Sequence, residues 1–169
     1  TRKRSSAASD VYKRQVLAPF TTRPQKHWPI NHWKQLITLL RQHSDISIVI
    51  LGGPSDSCDA EALTFNEDDV YSLAGHVSLA ESAVAVKHSY AFIGVDTGLT
   101  HMAVSFLRPT IALFGSTCPY TYTDNANTHV LYKKLVCAPC KRKPTCNRTF
   151  DCMALIRPEE VFTTVKEYL

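Results

Sequence analysis

AFIGVDTGLTHMA, residues 91–103, is the stretch whose reading decides the fold. The apolar run from Ala91 to Val95 reads as a buried strand. Asp96 and Thr97 end it, and Gly98 leads into a helix expected over roughly Leu99 to Phe106. The first N–H groups of such a helix have no internal partners and carry partial positive charge. Gly98 lets a ligand come close to the backbone. A strand that ends this way presents an anion site, and His101, one turn along the helix, can reach the same anion. Asp96 stands at the N-cap position, and on this segment alone capping explains it.

The same alternation extends in both directions. Upstream, VLAPF (16–20) and ISIVIL (46–51) read as buried parallel strands. Between them Trp33, Leu36, Ile37 and Leu40 follow helical spacing from an Asn31 cap. Gly52-Gly53-Pro54 breaks the chain, and Ser55 is placed to cap a short helix reaching about Thr64. VYSLAG (70–75) is a third strand. Ser78-Leu79-Ala80-Glu81 is a capping box that opens a helix to about His88. Downstream, TIALF (110–114) is a strand closed by Gly115, and a short apolar stretch follows at 130–132. Pro158-Glu159-Glu160 starts a last helix, with proline in the first turn and acids at the positive dipole end. Strands alternating with helices predict an α/β fold: a Rossmann-like parallel sheet with right-handed crossovers and helices on both faces. Ligands then bind beyond the carboxyl ends of the strands, at loops 21–29, 52–56, 74–78, 96–101 and 115–122.

The first of those loops lies in APFTTRPQKHWPINHW (18–33). Thr21, Thr22 and the Lys26 ammonium, all just past a strand end, suit a phosphate. Arg23 can serve the same anion or stay solvated. Trp28 is expected to pack the loop against the domain, and His27 to be structural or exposed.

The formal charge of the 169-residue chain is +4, but it is unevenly held. Residues 1–15 carry Arg2, Lys3, Arg4, Lys13 and Arg14 against Asp10, and the remainder balances 14 basic with 14 acidic residues. A neutral body lacks the basic face expected of a nucleic-acid protein. No apolar run approaches the ~20 residues that span a bilayer, and no apolar signal region follows the basic start. Residues 1–15 are polar and aperiodic, so we set them apart from the domain at 16–169 as a non-native or disordered tail. From 133 to 148, Lys133, Lys134, Lys141, Arg142, Lys143 and Arg148 occur with no acid. That stretch suits phosphates or anionic lipid, or is a solvated loop.

Taken together, TTRPQKHWP, a strand ending in GG, LAGHVSL, GVDTGLTHMA and PTIALFGST occur in an order and spacing that resemble the glycosyltransferase family 9 heptosyltransferases. The resemblance runs from about Val16 to Leu169. It implies one half of a GT-B glycosyltransferase: the C-terminal, nucleotide-sugar-binding domain of an enzyme that moves heptose from ADP-heptose to the lipopolysaccharide inner core. By this resemblance Thr21, Thr22 and Lys26 form one diphosphate cluster, and Asp96, Thr97, Gly98 and His101 a second. Val77 and Leu79 fall where adenine is lined. The family's ribose-binding acid aligns with Pro54, and Asp56, two residues later, is the nearest candidate. The catalytic base lies in the N-terminal domain, with the acceptor, so no residue here takes that role and the fragment alone is expected to be inactive. The family pattern implies inverting transfer, and the absence of an Asp-x-Asp motif fits a transferase that needs no metal. It also implies a cytoplasmic protein, with contact at the cytoplasmic face of the inner membrane.

Four cysteines cluster as Cys137-x2-Cys140-x5-Cys146-x5-Cys152. A C-x-x-C pair with two further thiols is a candidate structural zinc set, although the second half lacks paired spacing. Disulfides and a plain reduced loop are the alternatives. Cys58 and Cys118 are expected to be packing residues. Two other classes stand beside the transferase: a nucleotide- or zinc-binding module without transferase activity, and a dehydrogenase. The dehydrogenase is disfavoured because no G-x-G-x-x-G follows a strand.

Overall fold

The computed structural model describes residues 14–65, 67–117, 119 and 126–169. Six strands form one wholly parallel sheet: β1 (Arg14–Ala18), β2 (Ser47–Ile50), β3 (Val70–Ser72), β4 (Ala91–Val95), β5 (Thr110–Phe114) and β6 (Thr128–Tyr132). Their spatial order is β3-β2-β1-β4-β5-β6. The helices are α1 (Ile30–His43), α2 (Ser57–Thr64), α3 (Leu79–Lys87), α4 (Gly98–Ser105), α5 (Asp151–Ala154) and α6 (Pro158–Val165).

Side chains alternate across a strand, so each central strand feeds two cores. Leu17, Ile48, Ile50, Ile93 and Val95 point to one face, where Trp33, Leu36, Ile37 and Leu40 of α1 meet Val161 and Val165 of α6. Val16, Ala18, Val49, Leu51 and Phe92 point to the other, against Val86 of α3 and Ala103 of α4. Each Leu or Ile so buried contributes about 1.5–3 kcal/mol. This is why the central strands read as unbroken apolar runs.

Several boundaries differ from the sequence reading, each for a local reason. β1 begins at Arg14, not Val16, because Arg14 and Gln15 pair with Ser47 and Ile48 of β2. Gln15 is fully buried, so both residues belong to the sheet and not to a tail. The strand stops at Ala18, which leaves Phe20 free to line the loop. The N-cap of α1 is Pro29, so Asn31 lies inside the helix. Ser55 does not cap α2; it sits in a 3-10 turn over Pro54–Asp56, with Asp56 Oδ2 accepting from Gly53 N at 2.8 Å. β3 ends at Ser72, and the capping box of α3 forms as expected: Ser78 Oγ accepts from Glu81 N, and Glu81 Oε2 accepts from Ser78 N at 2.7 Å. Cys58 is exposed, contrary to the packing role expected of it, and Cys118 lies outside the described residues.

Gly94 sets the seat of α4. A Cβ there would lie 2.7 Å from Thr100 Oγ1, so only glycine lets the helix rest this close to β4. Thr100 Oγ1 then donates to Val95 O at 2.5 Å, which ties the start of α4 to the end of its strand.

Candidate functional site

β1 and β4 are neighbours, in register with Ala18 beside Gly94, and the strand order reverses between them. A doubly wound sheet opens its ligand crevice at such a switch point, beyond the carboxyl ends of the strands. Two segments about 70 residues apart in sequence therefore leave the sheet side by side. A cleft of about 490 Å³ lies there, lined by Thr21, Thr22, Arg23 and Lys26 from the loop after β1 and by Asp96, Thr97 and Gly98 from the start of α4. Phe20, Gly53, Ser55 and Asp56 complete it. A second hollow of about 340 Å³ shares Phe20, Gly53, Asp56, Thr97 and Gly98 with the first and adds Val77, Leu79 and Leu99. The sequence-predicted diphosphate and nucleoside residues thus line one continuous groove. His101 borders it through Asp96.

Asp96 sits at the centre and is 9% exposed. It does not cap α4. Thr97 is the N-cap residue, in extended conformation, with no side-chain cap bond. The Asp96 carboxylate instead gathers three groups. Lys26 Nζ pairs with Oδ2 at 2.5 Å and also lies 3.4 Å from the Asp96 carbonyl oxygen. Thr117 Oγ1 donates to Oδ2 at 2.5 Å, and His101 Nε2 stands 3.2 Å from Oδ1. Burial pushes the Asp96 carboxyl up, but the hydrogen bonds from Lys26 and Thr117 and the charges of Lys26 and His101 outweigh it. The net result is a carboxyl held below its ordinary value of 3.8. A group whose folded pKa is depressed adds stability above its unfolded value and loses it as pH falls through the folded one. The thermal midpoint of the wild type should therefore drop more steeply than that of Asp96→Asn as pH is lowered below about 4. Parallel acid limbs in a calorimetric pH series would contradict the pairing.

The turn that carries Lys26 is fixed by its neighbours. A 3-10 turn spans Pro24–Lys26, and His27 Nε2 lies 2.7 Å from Thr21 O and holds the loop closed. Trp28 is buried, and its Nε1 donates to Ile156 O at 2.9 Å, so its role is packing. Phe20, Ser55 and Thr117 line or support the site and were missed. Phe20 and Ser55 carried no motif signal. Thr117 lies in a loop flagged for its position at a strand end, but nothing local marked the residue.

The cysteine segment is pinned to the same rim. Gln25 Nε2 donates to Lys141 O at 3.1 Å, and Lys141 N donates to Ser116 O at 2.6 Å. Cys137, Cys140, Cys146 and Cys152 are all free thiols. Burial, followed by the nearby cysteines, pushes the thiols of Cys140 and Cys152 up. The expected zinc set is not assembled: among the described residues, no three His, Cys, Asp or Glu side chains form a group that could hold a metal ion. Cys152 packs instead under Gly115, where an added Cβ would lie 2.8 Å from its Sγ. The basic run is also less bare than its sequence, since Lys133 Nζ pairs with Glu160 at 2.7 Å.

Fold and rim together define a doubly wound α/β domain with a cleft at its switch point, where Arg23 and Lys26 stand beside Asp56, Asp96 and the start of α4. A family model described as glycosyltransferase family 9 (heptosyltransferase) matches residues 1–150, and the chain belongs to that family. Lipopolysaccharide heptosyltransferase 1 of Salmonella typhimurium is 35% identical over 113 residues, covering 67% of this chain and 35% of that protein. The Pseudomonas aeruginosa protein of the same name is 28% identical over 165 residues, covering 88% and 46%. The solved Escherichia coli heptosyltransferase with ADP-2-deoxy-2-fluoro heptose superposes with a TM-score of 0.74 at 27% identity, covering 95% of this chain and 45% of that one. The chain thus spans less than half the length of these relatives. Among the described residues no helix is long and apolar enough to cross a membrane.

Proposed function

We propose that this chain is the donor-binding part of a GT-B transferase that moves heptose from ADP-heptose to the lipopolysaccharide inner core. The observation that carries this reading is the meeting of Lys26 with the start of α4 in one groove. In the proposed complex the diphosphate lies between Thr21, Thr22 and Lys26 on one side and the free N–H groups of α4 on the other. Adenine extends toward Val77 and Leu79, and Asp56 faces the ribose. Its Oδ2 accepts from Gly53 N and its Oδ1 from Ser55 Oγ at 3.4 Å, so a ribose hydroxyl would share Oδ1 with Ser55.

Transfer releases ADP, and negative charge grows on the leaving diphosphate as the sugar–oxygen bond breaks. Lys26, the α4 amides and His101 meet that charge, each group of this kind supplying about 3–4 kcal/mol to a transition state. The chain's own donors thus do the work a metal would otherwise do. An inverting displacement also needs a base for the acceptor hydroxyl. We assign that base, and the acceptor site, to the other half of the whole enzyme, so the isolated chain binds donor without transferring it. We propose, too, that the enzyme acts in the cytoplasm, with Lys134, Lys141, Arg142 and Arg148 meeting the anionic inner face of the membrane.

Calorimetric titration with ADP tests the reading, with saturable one-to-one binding expected and none contradicting it. Gly98→Val sharpens the test. A Cβ at Gly98 meets no atom within 4 Å, so the fold accepts it. The branched side chain would occupy the space of the phosphate, so binding should fall on the order of 10-fold or more while the unfolding midpoint holds.

A further inference from the structure

Thr117, in the loop after β5, reaches the donor site through Asp96. Its hydroxyl donates to the same carboxylate oxygen that Lys26 holds, and both contacts are 2.5 Å. His101 takes the other oxygen. Among the described residues, the groups facing this carboxylate are thus one ammonium from the loop after β1, one imidazole from α4 and one neutral hydroxyl from the loop after β5. A buried carboxylate seeks several donors. With Lys26 as the sole donor to Oδ2, the ammonium would be bound to the protein too firmly to be shared with a ligand. A hydroxyl on the same oxygen supplies a hydrogen bond without adding charge. It leaves Lys26 able to turn one N–H toward an anion in the cleft while Asp96 stays ionised and aligned.

We propose that Thr117 is a positioning residue of the donor site: its hydroxyl fixes Asp96 so that Lys26 is presented to the diphosphate and not consumed by the ion pair. The proposal rests on the diphosphate reading of the groove. Two measurements on the whole chain test it. Carboxyl-carbon NMR reads the titration of Asp96, and calorimetry at pH 7.5 reads ADP affinity. Thr117→Val, which keeps the shape and removes the hydroxyl, should move the Asp96 titration upward and weaken ADP on the order of 3- to 10-fold. Thr117→Ser should restore both. In a Lys26→Ala background, Thr117→Val should have no further effect on ADP, because its influence passes through Lys26. A Val variant matching wild type in both readouts, or a Ser variant that restores neither, would overturn the proposal. If wild type bound no ADP, the donor-site reading would fail, while the NMR arm would still decide whether Thr117 holds Asp96.

Discussion

Replacing Lys26 with alanine is expected to weaken ADP binding by roughly 10- to 100-fold, the scale of a charge-assisted hydrogen bond worth about 1.5–3 kcal/mol. Lys26 is the cation placed where the two chain segments meet, 17% exposed in its side chain and held between the carboxylate and the carbonyl oxygen of Asp96. Its loss removes a direct phosphate contact. It also leaves Asp96 with Thr117 and His101 alone, an anion beside the site where a diphosphate must bind. Both effects act in the same direction. Lys26→Arg should recover only part of the affinity, because a planar fork does not reproduce a compact ammonium placed to share two oxygens. Calorimetric titration of the three proteins gives the order wild type, Arg, Ala. An alanine variant with unchanged affinity would remove Lys26 from the site.

Trp28→Ala is expected to cost about 3–5 kcal/mol of stability, the range for deleting a large buried aromatic side chain. Trp28 is 2% exposed, and its ring meets Trp33 edge-on at a centroid distance of 4.8 Å. Its indole N–H also satisfies Ile156 O, near the end of the chain, so the substitution leaves a buried carbonyl without that donor. Against a typical total of about 5–15 kcal/mol, this is a large share. The damage reaches the site, because Trp28 anchors the loop two residues beyond Lys26 between α1 and the segment before α6. Trp28→Phe keeps one aromatic ring and loses the pyrrole part with its hydrogen bond, so it should cost less, on the order of 1–3 kcal/mol. Denaturant midpoints at constant slope measure both.

The fold was legible because its signals were local and mutually consistent. Buried parallel strands must be apolar on both faces, so β2, β4 and β5 showed as plain runs, and the Ser78–Glu81 capping box wrote its own helix start. The site was legible where a strand end and a helix start coincide, as at Asp96 to Gly98. What sequence could not show was anything decided by contacts across the chain. Asp96 stands where capping residues stand, and only the packing of β1 against β4 reveals that Lys26 takes its carboxylate. Thr117 is one hydroxyl among many until β5 brings it to that carboxylate. Gln15 looked like tail because pairing with Ile48, not local composition, makes it strand. The cysteine spacing suggests a metal, and it takes contacts across the chain to show that Cys152 of α5 is buried under Gly115.

The central claim is that two distant loops hold one diphosphate, and comparing ADP with adenosine tests it most directly. Affinities of the wild type, Lys26→Ala and Gly98→Val should be measured for both ligands. Each variant is expected to lose on the order of 10-fold or more toward ADP. Lys26 lines only the first hollow, so Lys26→Ala is expected to bind adenosine as the wild type does, whereas Gly98 also borders the hollow of Val77 and Leu79. A Lys26→Ala loss toward adenosine equal to that toward ADP, or an ADP affinity untouched by either change, would mean that these loops do not hold the diphosphate.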